Sequence, residues 1–227
     1  MFRTRNNIIT ADDLNSRNKT TRLPIVFCVD CTKNMPVSFI SQHLNSFLNE
    51  INNNNDLAAC ADILIMQFGK KQSVVREFSL VTATEMIKLN KPEDTEADLG
   101  TALMYAIREI QKRKLDYGTM KVNFYQPTVI LFSSSEFVGD MQKELETISG
   151  LKKSGSISIV PFCNSSKNRD VFEQISVSGK VYGAASTGYD RIFSQLKKSM
   201  HSLSASSAQA YKSLVDASTD WDSFTLR

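Results

Sequence analysis

Histidine is nearly missing from the 227-residue chain, which has only His43 and His201. One falls on a predicted helix and the other near the end, so a serine or cysteine triad is hard to assemble. There is no Gly-rich phosphate loop, which leaves nucleotide hydrolysis without support. Four cysteines are too few for a disulfide scaffold, and Cys28, Cys60 and Cys163 lie in or beside apolar runs where a thiol packs as a small hydrophobe. Cys28 and Cys31 are spaced as Cys-x-x-Cys, but Cys28 lies inside a predicted strand rather than at a helix start, which argues against a redox pair. No apolar run approaches the roughly 18 residues that span a bilayer. No apolar segment follows Met1 either, and a cytoplasmic protein is expected. The net charge of +3 resides in residues 1–22, leaving the remainder near neutral and without an electrostatic case for nucleic acid.

What remains is ordinary globular material, 41% hydrophobic and 22% charged, enough for one domain with a full core. Its organising stretch is Leu23 to Met35, Leu-Pro-Ile-Val-Phe-Cys-Val-Asp-Cys-Thr-Lys-Asn-Met. The uninterrupted apolar run Ile25 to Val29 predicts a strand buried on both faces. It stops at Asp30, Thr32 and Asn34, oxygen-bearing side chains at the carboxyl end of a central strand, where ligands sit in open parallel sheets. Donors at i, i+2 and i+4 suit a hard cation such as magnesium. The same three residues also suit simple capping of the next helix.

Apolar spacing predicts further elements in order. A helix runs over 37–54, with His43 among its water-facing positions. A strand over 58–68 is followed by a hairpin partner over 73–78. A short helix is expected over 82–89 and a strong one over 99–115. Then come a strand over 128–132, a helix over 137–153, a strand over 156–162, a short helix over 170–175, a short strand over 180–182 and a helix over 189–203. Residues 1–22 read as a flexible basic arm, and 204–227 as a Ser/Ala-rich tail in which Trp221 and Phe224 are available for docking.

Asp30-x-Thr32-x-Asn34 resembles the metal-ion-dependent adhesion site of von Willebrand factor type A domains, Asp-x-Ser-x-Ser. Asp98-Leu-Gly-Thr-Ala-Leu resembles the second element of that family, with Thr101 in the ligand position and Gly100 letting the backbone come close. At the third element, Thr-Asp-Gly in the family, this chain has Ser134. The resemblance covers residues 23–203. It implies a three-layer Rossmann-like α/β fold: a mostly parallel six-stranded sheet with one antiparallel edge strand and helices on both faces. It also implies a degenerate metal site of Asp30, Thr32, Asn34, Thr101 and Ser134.

Only one of those five ligands is a carboxylate. Losing one unit charge at about 4 Å and an effective dielectric near 20 forfeits on the order of 4 kcal/mol of attraction, so magnesium binding is expected to be weak. Glu136 or Asp140 are the candidates to restore the charge. The Leu-Pro-Ile-x-x-x-x-Asp opening resembles bacterial cytoplasmic A domains of the tellurite-resistance and stress-response type. That implies a non-catalytic protein-binding module whose partner supplies an Asp or Glu to the top face. Two alternatives stay open: a metal-assisted hydrolase or phosphatase using Asp30, and a structural assembly subunit with a vestigial metal site.

Overall fold

Eight consecutive buried residues, Leu23–Asp30, form β1. In the computed structural model, which describes residues 20–81, 86–90, 94–134, 136–183 and 188–205, β1 pairs in parallel with β2 (Ala61–Phe68) and with β4 (Thr128–Ser133). A strand with neighbours on both edges and helices over both faces has no side exposed to water, which explains its apolar run. β3 (Gln72–Leu80) folds back antiparallel on β2. β5 (Ser158–Cys163) and the two-residue β6 (Tyr182–Gly183) extend the sheet in parallel on the other side, giving the order β3-β2-β1-β4-β5-β6. This is the expected doubly wound sheet with one antiparallel edge strand.

Alternation along β1 divides the core in two. Leu23, Ile25, Phe27 and Val29 face α1 (Val37–Asn52), α2 (Asn55–Cys60) and α6 (Tyr189–Ala205). Val26 and Cys28 face α3 (Leu99–Met120), α4 (Gln142–Lys153) and α5 (Arg169–Ile175). Because the order reverses between β1 and β4, their carboxyl ends diverge into the crevice where doubly wound sheets place ligands.

Several boundaries differ from expectation, each for a local reason. Asn54, expected to end a helix, caps a new one: its side chain accepts from Leu57 N at 3.1 Å, and residues 58–60 belong to α2 rather than β2. The helix expected over 137–153 begins only at Gln142, after Gly139 takes a left-handed φ of 95°. Of the expected helix over 82–89, residues 82–85 lie outside the described residues, and 86–89 are not helical. The Asn45 side chain holds that segment by both exchanging bonds with Ile87, accepting from its N at 2.7 Å and donating to its O at 2.8 Å.

His43 does not face water as expected. Its side chain is 12% exposed, its Nδ1 lies 3.1 Å from Asp190 Oδ1, and its ring packs among Phe39, Tyr189 and Phe193 where α1 meets α6. Arg22, within the stretch read as an arm, is buried and bridged to Phe124, its N donating to Asn123 O at 2.8 Å and its guanidinium to Ala59 O. Trp221 and Phe224 lie outside the described residues.

The two edges differ. On the β3 side the ladder to β2 shifts register between Ile63 and Met66. The Arg76 guanidinium fills that irregularity, donating to Ile63 O and, at 3.1 Å each, to Ser79 O and Leu80 O. Beneath the sheet, the fully buried Asp62 at the start of β2 ties α3 down. Its Oδ2 accepts from Arg113 Nη2 at 2.7 Å, Arg113 Nε at 2.8 Å and the Tyr117 hydroxyl at 2.5 Å.

Candidate functional site

Asp30 is the last residue of β1, and its side chain is fully buried at the mouth of the crevice. Both oxygens accept bonds from the chain itself. Oδ1 takes the Thr32 N–H at 2.8 Å, and Oδ2 takes the Ser134 N–H at 2.8 Å and the Ser134 hydroxyl at 2.6 Å. The Thr32 hydroxyl donates to Ser134 Oγ at 3.4 Å. The ends of β1 and β4 are thus stitched across the switch point by one carboxylate. Charge-assisted bonds of this kind are the strong ones.

Asn34, on the exposed side of the same loop, joins through Glu136. Its amide donates to Glu136 Oε2 at 2.9 Å, while Lys167 Nζ lies 3.2 Å from Glu136 Oε1. Asn164 donates its amide to Asn34 O at 3.0 Å, bringing the loop after β5 onto the same rim. Further backbone bonds run from Lys33 N to Asp94 O at 3.0 Å, Asp98 N to Gly69 O at 2.9 Å and Val138 N to Ala97 O at 2.9 Å. Five separate loops therefore form one continuous surface.

The structure thus gathers Asp30, Thr32 and Ser134 directly and Asn34 through Glu136. Thr101 is not bonded into the cluster: it lies exposed in the first turn of α3, where its N–H is capped by Asp98 Oδ1 at 2.9 Å, and among the described residues its hydroxyl makes no bond to Asp30, Thr32 or Ser134. A Cβ added at Gly100 would lie 3.4 Å from Glu144 Cγ, ordinary van der Waals contact, so that glycine marks no forced approach. Asp140, a candidate replacement for the missing aspartate, instead caps the start of α4 by accepting from Gln142 N at 3.0 Å. Lys167 and Asn164 escaped the sequence reading because neither belongs to the three motif segments.

These donors do not fit a hard divalent ion. Asp30 has given both oxygens to protein donors, and Glu136, the nearest second carboxylate, is engaged by an amide and an ammonium. Neutral hydroxyls would be left to pull an ion from its water. Among the described residues no group of three or more His, Cys, Asp or Glu side chains is placed to hold a metal.

Asp30 also acts on its neighbours. Burial, then the Asp30 charge, pushes the Cys31 thiol up to about 12 and drives Cys28 further still, while burial pushes Cys60 to about 11. No disulfide links the four cysteines, all of them buried, which argues against the redox reading of Cys28 and Cys31. The sign of the linkage is set by these raised values. Native thiols hold protons that unfolded thiols release near pH 8.5, so this contribution is complete below that pH and is lost as pH rises toward 11 and 12. Urea titrations from pH 8 to 10.5 should show stability falling by about 1 kcal/mol or more per pH unit above pH 9. A flat profile would mean the thiols ionise as readily folded as unfolded.

The switch-point crevice, the polar rim and the antiparallel edge strand define a class: an open, doubly wound α/β domain with its site above the sheet. More narrowly, the chain has the von Willebrand factor type A fold. Proximal thread matrix protein 1 from mussel byssus, in a structure described as having a zinc-occupied metal-ion-dependent adhesion site, is 11% identical with a TM-score of 0.54, over 78% of this chain and 47% of that one. The ArnB paralog VWA2 of Sulfolobus acidocaldarius is 11% identical with a TM-score of 0.55, over 78% and 46%. The pilus adhesin SpaC of Lactobacillus rhamnosus GG is 11% identical with a TM-score of 0.61, over 81% and 31%. The chain spans less than half the length of each. No protein-family model and no curated protein matches its sequence.

Proposed function

We propose that the chain is a non-catalytic protein-binding module that engages its partner through the rim above β1 and β4. The carrying observation is the bonding of five loops into one polar surface at the switch point, with exposed Lys33, Asn34 and Thr101 pointing outward from it. The hydrolase alternative gains no support, because Asp30 is fully buried and accepts three hydrogen bonds from the chain itself. The vestigial-subunit alternative rests on the tail, outside the described residues. The motif resemblance supports reading the module as part of a cytoplasmic complex of the tellurite-resistance and stress-response type, and exposed Lys33 on the rim suits an acidic partner residue at the top face.

The test uses exposed positions that leave the fold intact. Lys33→Glu and Thr101→Arg should each weaken partner capture at least tenfold, the scale of an interface anchor near 1.4 kcal/mol or more. Unchanged capture by both variants, with unchanged melting curves, would place the interface elsewhere.

A further inference from the structure

We infer that the rim works without a divalent ion, with Lys167 serving as its built-in cation. The inference concerns the same rim as the proposed binding function and rests on that reading only for its consequence in partner capture.

A divalent ion at such a mouth would have two physical tasks: to neutralise the carboxylates and to tie the loops of different strands together. Both are already carried out by this chain's own groups. The Asp30 charge is stabilised by three hydrogen-bond donors from the loops after β1 and β4. Glu136 is neutralised by Lys167, from the loop after β5, at 3.2 Å. The tie runs unbroken from Lys167 to Glu136 at 3.2 Å, from Glu136 to the Asn34 amide at 2.9 Å, and back to the β5 loop through Asn164 and Asn34 O at 3.0 Å. From Glu136 N a weaker bond at 3.4 Å reaches Ser134 Oγ, itself 2.6 Å from Asp30.

Ser134 and Lys167 exclude the ion together. Where Ser134 stands, a hydroxyl donates a hydrogen bond to Asp30 rather than offering charge to a metal. Where a metal would need Glu136, an ammonium is already paired with it. A hard cation would have to displace that ammonium and break the Asp30 bonds before either carboxylate could ligate it, leaving only neutral oxygens otherwise. Lys167 is well exposed, so a single ion pair of this kind is modest in strength. Its effect is on loop order rather than on global stability.

The experiment is Mn2+-induced line broadening and amide exchange on the full chain by NMR. Wild type should show no broadening localised to Asp30, Thr32 and Ser134 at 1 mM Mn2+, and its melting temperature should be the same in EDTA and in 10 mM Mg2+. Lys167→Ala should speed amide exchange in segments 31–36 and 136–140 about two- to fivefold, the range of an exposed ion pair, with the global melt unchanged. Ser134→Asp combined with Lys167→Ala should gain rim-localised Mn2+ broadening that competes with Mg2+. Rim-localised broadening in wild type would overturn the inference, as would unaltered loop exchange in Lys167→Ala or failure of the double variant to gain metal. Partner capture that persists in EDTA supports it. Capture lost in Lys33→Glu but insensitive to EDTA separates the binding proposal from the metal question.

Discussion

Asp30→Ala is expected to destabilise the domain by about 3–5 kcal/mol. The substitution removes the acceptor of three donors at once, the N–H groups of Thr32 and Ser134 and the Ser134 hydroxyl, at a point with no solvent exposure. Each buried donor left without a partner costs roughly 1–3 kcal/mol. Two effects trim the sum: the hydroxyl can rotate to another acceptor, and loss of the buried charge removes its desolvation cost. For a domain of this size the melting temperature should drop by roughly 10 °C.

Asp30→Asn separates hydrogen bonding from charge. Its single carbonyl can serve Ser134 or Thr32, and its amide then meets an N–H on the other side, so about half the effect is expected. A change below 1 kcal/mol in Asp30→Ala would show that water enters and satisfies the donors, and the rim would then not depend on this carboxylate.

The second large effect lies at the opposite end of the sheet. Asp62→Ala should cost about 3–5 kcal/mol, the range for breaking a buried ion pair by removing one partner. Asp62 is fully buried and gathers Arg113 and Tyr117 from α3, whose guanidinium is only partly solvated. Tyr117 itself is held protonated by burial and then by the Asp62 charge. Tyr117→Phe removes one of the three donors and should cost about 1–2 kcal/mol. Chemical denaturation of the three proteins provides the measurement. Equal effects of Asp62→Ala and Tyr117→Phe would assign the stabilisation to the hydroxyl bond alone.

The sheet was legible because burial on both faces leaves a plain mark: Ile25 to Val29 has no polar residue to confuse it, and the hairpin after β2 is flagged by Gly69, Lys70 and Lys71. Helix ends were less legible. Asn54 reads equally well as the end of one helix and the cap of the next, and nothing local says that Asn45 will bond to Ile87, 42 residues away. At the site, the family resemblance pointed to Asp30, Thr32, Asn34, Thr101 and Ser134, of which the fold bonds Asp30, Thr32 and Ser134 together directly. It could not give Lys167, because its importance arises from a pairing across the β4 and β5 loops that leaves no periodic signature. His43 is illegible for a related reason: a polar position on a helix is covered when the aromatic rings of Tyr189 and Phe193 arrive from α6, with Asp190 left to pair with its Nδ1.

The β3 border of the sheet bears on how the molecule behaves when crowded. On the β3 flank the register slips and Arg76 caps carbonyls near the strand end. Open borders that are long and regular template fibre growth, whereas short or irregular ones resist it. Lateral stacking of copies through their sheets is therefore disfavoured on the β3 flank, and straightening β3 by replacing Arg76 with valine would turn a protected border into an adhesive one.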